Sequence, residues 1–265
     1  LRKVIGPGVE IAVFHGPSAE SLADFRTHNL EPVLNSLEQI DAWSNAGPAS
    51  LHLDTGMNRL GVPESQWAQA AKKMPAPVRL LSHLACADDP SSTKNREQLE
   101  AFNRAKALWP NSPRSFSSTG GAYLGRDFAM DEIRPGIGLY GGGPAPATGD
   151  APRPVLTLTS PILQVRDVKA GETAGYGATW KAGKDCTLAT VGLGYADGFL
   201  RAASNTGMGV IGGIKRPIVG RVSMDLIVVD VTGANAKPGD GIEFVGPDMP
   251  LSKAAESMGT VDYEF

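Results

Sequence analysis

Arg59, His83 and Thr119 fall at or just beyond the ends of three short apolar runs, "SLHLD" (50–54), "RLLSHL" (79–84) and "RSFSS" (114–118), and Arg134 opens a fourth, "IRPGIGLYG" (133–141). Taken singly, each has an ordinary explanation. Arg59 reads as a solvated loop charge, His83 as a core histidine with its hydrogen bonds met, Arg134 as a surface partner of Asp131 or Glu132, and Thr119 as the cap of a following helix. Taken together they describe a cup with two cations and a flat imidazole. In Ser118-Thr119-Gly120-Gly121 the cup gains a hydroxyl and accessible backbone N–H groups that could cradle a phosphate. Such a cup suits an anionic aromatic cofactor together with a carboxylate substrate.

The elements that must position these residues follow from hydrophobic rhythm. With "EIAVF" (10–14) and "EPVLN" (31–35), six short apolar runs alternate with helical segments through the first half. That alternation predicts parallel strands joined by crossover helices. Ser36 and Gln39 form a capping-box pattern ahead of Leu37, Ile40 and Trp43, while Leu99, Phe102 and Trp109 mark one face of a longer helix. A TIM-type (β/α)8 barrel needs eight strands, so the six are read as strands three to eight of a barrel whose first two βα units are missing from the sequence. On that count the Thr119 segment follows strand seven, where barrels often bind phosphate, and Arg134 to Tyr140 lie in strand eight.

From about Arg153 the pattern changes to period-two strands punctuated by Gly and Pro: "VLTLTSPILQVRDV", "CTLATVGLGYA", "PIVGRVSMDLIVVDV" and "GIEFVGP". This predicts a mainly antiparallel β domain. The segment "GGGPAPATGDAPRP" (141–154) lacks hydrophobic periodicity and opens no clear helix, so it reads as a linker rather than a phosphate loop. The expected division is a barrel domain over 1–145 and a β domain over 146–265.

Composition narrows the functional classes. The 265 residues, 42% of them hydrophobic, suffice for one large core or two ordinary ones. A net charge of -3, with no basic run and no interleaved aromatics, argues against a nucleic-acid partner. Cys86 and Cys186 are far apart and outside any metal-ligand or disulfide spacing, which favours a reducing, cytoplasmic setting. No apolar run approaches the roughly 18 residues of a membrane span.

Eight stretches in order, "LHLDTGMNRLGV", "LLSHLACADDP", "SSTGGAYLG", "IRPGIGLYGGGP", "GETAGYGATW", "VGLGYADGF", "IVGRVSMDLIVVDVT" and "VDYEF", resemble the alanine racemase family of fold-type III pyridoxal phosphate enzymes. The resemblance runs over the whole chain. It implies a two-base interconversion of L- and D-alanine that supplies peptidoglycan precursors, carried out with pyridoxal 5'-phosphate at the barrel mouth. It implies that His83 contacts the cofactor ring or its oxygen, that Arg134 hydrogen-bonds the pyridine nitrogen, and that Thr119, Gly136, Ile137 and Tyr263 hold the phosphate. Arg59 would sit near the cofactor's phenolic oxygen and the substrate carboxylate. Tyr176 would be the acid/base on one face of the substrate, with Met224 beside it. Tyr195, Arg201, Arg221 and Asp225 would line the access corridor. The same resemblance implies a head-to-tail homodimer in which Tyr176 and the Met224-Asp225 segment reach into the partner's barrel. For Tyr195 a buried hydroxyl, and for Met224 an ordinary core position, are equally good readings of the residue alone.

Three departures qualify the resemblance. The family anchors its cofactor through a lysine in a "KANAYGHG"-like motif, and no such motif occurs here. These 265 residues alone are therefore expected to show no appreciable racemase activity, which keeps open the reading of an inactive cofactor-binding fragment beside that of a racemase of broader specificity. His52 stands where many members carry a lysine that orients the arginine corresponding to Arg59. Ser223 stands where a cysteine is common.

Overall fold

In the stretch Ser50–Asp54 the first four side chains, Ser50, Leu51, His52 and Leu53, are all buried. Burial on both faces is the mark of a parallel strand covered on two sides. The computed structural model describes residues 1–44, 46–144 and 151–265, in two units, Leu1–Pro135 and Gly136–Phe265. The expected linker lies partly, and the expected boundary at 145/146 wholly, outside the described residues.

The strands of the first unit are β1 (Ala12–Val13), β2 (Glu31–Leu34), β3 (Ser50–Asp54), β4 (Val62–Pro63), β5 (Leu80–Leu81) and β6 (Arg114–Ser115). They pair in parallel in the order β1-β2-β3-β5-β6, with β4 beside β3. Helices Leu37–Trp43, Trp67–Lys73 and Thr93–Ala105 lie between successive strands. They bury Ile40, Trp43, Trp67, Leu99 and Phe102 in one core with Leu51 and Leu53. Trp109 joins that core from beyond the end of its helix. This is the βα succession of a TIM-type unit. The sequence reading fails at 133–141. Glu132, just before that run, makes one parallel bridge to Ser115, and the run itself forms only a single 3₁₀ turn over Ile137–Tyr140. Pro135 has no N–H to give a ladder, and the glycines that follow weaken extended pairing.

The second unit is built on β7 (Leu158–Val168), β8 (Thr173–Ala174), β9 (Trp180–Lys181), β10 (Cys186–Val191), β11 (Met208–Ile211), β12 (Ile214–Pro217), β13 (Ile227–Asp230) and β14 (Gly241–Val245). Six of these form an antiparallel sheet in the order β12-β11-β14-β7-β10-β13, and β8 and β9 make a separate hairpin. Alternate residues of β10 and β13 are buried on a core that includes Val191, Phe199, Ile227, Val229, Ile242 and Phe244. The fold is therefore a parallel α/β unit followed by a mainly antiparallel β unit, as the rhythm of the sequence predicts.

Candidate active site

The segment after β3 is shaped by one carboxylate. Asp54 Oδ1 accepts the backbone N–H groups of Gly56, Met57 and Asn58 at 2.9, 3.0 and 3.2 Å, and Oδ2 accepts Asn58 N–H at 3.1 Å. Asn58, at φ 56, then turns the chain so that Arg59 stands exposed. Arg59 has no hydrogen bond or ion pair among the described residues. Gly61, at φ +110, closes the turn against β3. A methyl group there would lie 2.7 Å from Asp54 N and 2.9 Å from Leu53 C.

Strand alternation puts His52 on the face opposite Leu51 and Leu53. Its Nδ1 lies 2.8 Å from Asn35 Oδ1. The amide of Asn35 donates to the carbonyls of Phe14 (2.9 Å) and Val33 (2.8 Å), so its oxygen must face the imidazole. His52 consequently carries its proton on Nδ1 and a lone pair on Nε2. Burial first, then the nearby charges of Arg134 and Arg59, pushes His52 down to about 4. Half-buried His83, just past β5, is pushed to about 4 by burial, Arg134 and Arg59 in that order. At neutral pH both rings are uncharged.

Arg134 does not pair with Asp131 or Glu132: Asp131 accepts Arg114 N–H, and Glu132 forms an ion pair with Arg79 at 3.4 Å. Its guanidinium gives Nη1–H to Ser115 Oγ (2.5 Å) and Nη2–H to the carbonyls of Ser82 (2.6 Å) and Phe116 (3.4 Å). It also lies over the Phe14 ring, 5.7 Å from the centroid. Burial lowers its pKa to about 10, so the cation persists without a carboxylate in hydrogen-bond reach. Thr119 is buried as the first residue of the short helix Thr119–Ala122, whose cap position is Ser118. The glycines behind it are required by packing: side chains at Gly120 and Gly121 would meet Asp88 Oδ1 at 3.0 Å and Ser117 Oγ at 2.5 Å. Arg59, His52, His83 and Arg134 thus form one electrostatic group within the first unit.

Within the second unit, Tyr176 occupies a tight turn between β8 and β9, with Gly175 and Gly177 both at φ 72. It is 72% exposed. Gly175 packs on the backbone of Arg221, and Gly177 leaves room for the Arg221 guanidinium, 2.9 Å from where its Cβ would be. Asn205 braces both pieces, donating to Thr179 Oγ1 (3.3 Å) and accepting Gly220 N–H (2.6 Å). A concavity of about 600 Å³ beside the turn is lined by Tyr176, Arg221, Ser223, Leu226 and Arg166 among others. Tyr195 N–H bonds Ser223 O (3.1 Å) and Ala196 N–H bonds Met224 O (2.9 Å), so the Tyr195 turn is fastened to the exposed Met224-Asp225 tip. Gly194 allows this, since a Cβ there would fall 2.2 Å from Met224 O. Arg201 is exposed on the following 3₁₀ turn. Elsewhere in the unit, Tyr263 Oη accepts Ile137 N–H at 3.3 Å, and a Cβ on Gly136 would touch it at 3.0 Å.

Comparison with known proteins places this geometry. The family models described as alanine racemase, N-terminal domain, and alanine racemase, C-terminal domain, match residues 2–144 and 155–265. The chain belongs to the alanine racemase family. An alanine racemase of Dinoroseobacter shibae is 42% identical over 100% of this chain and 76% of its own length, and one of Rhodospirillum rubrum is 43% identical over 96% and 72%. The solved alanine racemase of Bartonella henselae, with covalently bound pyridoxal phosphate, superposes with a TM-score of 0.89 at 36% identity, covering 99% of this chain and 77% of that one. That of Pseudomonas aeruginosa gives 0.89 at 30% identity, with 99% and 77% covered.

Within this alanine racemase fold, the sequence reading missed Asn35, Gln98 and Asn205. Asn35 ends the run "EPVLN" and was detectable as a polar residue at a strand end. Gln98 and Asn205 offered no such signal, because amide side chains are ordinarily solvated. Among the described residues no group of acidic, histidine and cysteine side chains could hold a metal ion.

Proposed function

We propose that the protein interconverts L- and D-alanine with pyridoxal 5'-phosphate as cofactor. The observation that carries this reading is Arg134, a half-buried guanidinium held by a hydroxyl and two carbonyls with no carboxylate in hydrogen-bond reach among the described residues. A partly desolvated cation without a counter-charge in reach suits an acceptor atom from a ligand. The neutral imidazoles beside it offer ring contact without adding positive charge. The site fits a pyridine ring that bears a phosphate.

When bound, the cofactor supplies the electron sink for the pair left at the substrate α-carbon. Arg134 would face the ring nitrogen. Because a guanidinium does not readily give up its proton, Arg134 would leave that nitrogen unprotonated, which would favour prompt return of the proton over side reactions. His83 would contact the ring. Thr119 in the first unit, and Gly136, Ile137 and Tyr263 in the second, would hold the phosphate. Arg59, without a hydrogen bond or ion pair among the described residues, would bind the substrate carboxylate. Tyr176 would move the proton on one face of the α-carbon. Met224 would narrow the pocket to a methyl side chain, with Tyr195, Arg201, Arg221 and Asp225 along the corridor.

The exposure of Tyr176 and Met224 on their own unit supports a head-to-tail homodimer with shared sites. We further place the enzyme in the cytoplasm, supplying D-alanine for cell-wall precursors. Among the described residues no helix is long and apolar enough to cross a membrane.

Formation of D-alanine from L-alanine is the test, made on cofactor-loaded protein that also carries the lysine motif these 265 residues do not contain. Tyr176→Phe should lower kcat/KM at least about a hundredfold equally in both directions of racemisation, because the equilibrium constant between enantiomers is one, while leaving cofactor binding intact. Absence of racemisation by that lysine-bearing protein, or full activity in both its Tyr176→Phe and Arg134→Leu variants, would overturn the proposal.

A further inference from the structure

Gln98 is completely buried, in the middle of the helix Thr93–Ala105. A glutamine so placed must meet its hydrogen bonds inside the protein. Its Oε1 accepts Ala85 N–H at 2.8 Å, and its Nε2 donates to His83 O at 2.9 Å and to Thr55 Oγ1 at 3.1 Å. Only this amide orientation works. Turned over, it would set nitrogen against Ala85 N–H and oxygen against the His83 carbonyl.

The contacts continue outward from both partners. Thr55 Oγ1 lies 2.8 Å from Ser82 Oγ, and the Ser82 carbonyl takes Arg134 Nη2–H at 2.6 Å. Thr55 also directly follows Asp54, whose carboxylate folds the turn leading to Arg59. Neighbouring Leu99 and Phe102 fix the helix in the core, and one turn before Gln98, Asn95 Nδ2 donates to Asp89 O at 2.9 Å. Two amides on one helix face therefore clamp the segment that carries His83.

We propose that Gln98 is the positioning residue of the cofactor cup, a single carboxamide that ties the Arg59 turn to the His83 segment and, through Thr55 and Ser82, to Arg134. An apolar side chain of the same size would fill the space and leave the two segments free to separate. The role assigned to the cup rests on the pyridoxal phosphate reading, whereas the tie itself is a property of the protein alone.

Two variants test it in the full protein. Gln98→Glu keeps the length and the acceptor for Ala85 but removes both donors, and Gln98→Leu removes all three bonds. We expect the pyridoxal phosphate dissociation constant, read by fluorescence, to rise about tenfold for Glu and further for Leu. The His83 imidazole, followed by NMR in the cofactor-free protein, should titrate upward from about 4 toward 6.5 as its burial relaxes. Amide exchange should quicken at 55–59 and 82–85 while helix 93–105 keeps its protection. A folded Gln98→Glu protein with unchanged cofactor affinity and an unchanged His83 midpoint would overturn the proposal. If Gln98→Leu does not fold, the Glu variant decides. A wild-type protein that binds no pyridoxal phosphate would overturn the functional reading, and the His83 titration and exchange would still decide the tie.

Discussion

His52 makes stability depend on pH in a definite direction. Its folded pKa is about 4, below the 6.5 of an exposed histidine, so between these values the unfolded chain binds the proton and the folded chain does not. The stability present above pH 6.5 is lost as pH falls toward 4. For a residue this buried the full effect is about 3 kcal/mol. Urea unfolding at pH 7 and pH 4.5 should show this loss, and His52→Gln, which can still donate to Asn35, should make the dependence shallower, leaving the share of His83, which is also held at about 4. An equally steep variant would exclude His52 as the source. At this scale the sequence was informative about residue types at strand ends and silent about their charge states. Position alone marked His83 and Arg134, but the neutrality of both histidines follows from burial beside two arginines brought together from distant segments. The partner of His52 likewise became visible only when β2 and β3 were set side by side.

The turn from Asp54 to Gly61 is a device whose parts are readable one at a time in "LDTGMNRLG". Asp and Asn are turn residues and Gly tolerates positive φ, yet the sequence did not disclose that one aspartate collects three N–H groups or that Gly61 must approach the backbone of β3. Gly61→Ala should therefore destabilise the protein by about 2 kcal/mol or more. Gly8→Ala, with nothing within 4 Å of the added methyl, should stay within about 0.5 kcal/mol. Thermal melts of the two variants make the comparison, and equal melting temperatures would contradict it. Other elements show where local pattern is decisive. Ser36 Oγ does accept Gln39 N–H, at 3.2 Å, but Gln39 Oε1 takes Asn35 N–H rather than closing the capping box. The β8–β9 hairpin around Tyr176 and the β11–β12 hairpin at Gly212-Gly213 escaped the sequence reading. The first has only two residues per strand, and the second hides a two-glycine turn, φ 58 and 75, inside an apolar run.

For the molecule as a whole, the change of rhythm near Arg153 separated an α/β unit from a β unit because parallel strands need helical crossovers and antiparallel ones do not. No such rule tells how two copies combine. If each site takes Tyr176 from one copy and Arg134 from the other, then two inactive proteins, Tyr176→Phe and Arg134→Leu, should complement when co-expressed. Random pairing gives half heterodimers with one intact site each, hence about a quarter of wild-type activity. No recovery would place both residues in a site within one copy. The sheet order has a further consequence, for the biogenesis of the chain. Each strand of the first unit pairs with one made a short stretch earlier, so that sheet can grow as the ribosome extends it. The central β7 of the second unit instead waits for β14, since Pro161 pairs with Gly241, about eighty residues later. During that interval the nascent chain presents an open β edge beside Leu158 and Ile162, and chaperone capture during translation should concentrate there.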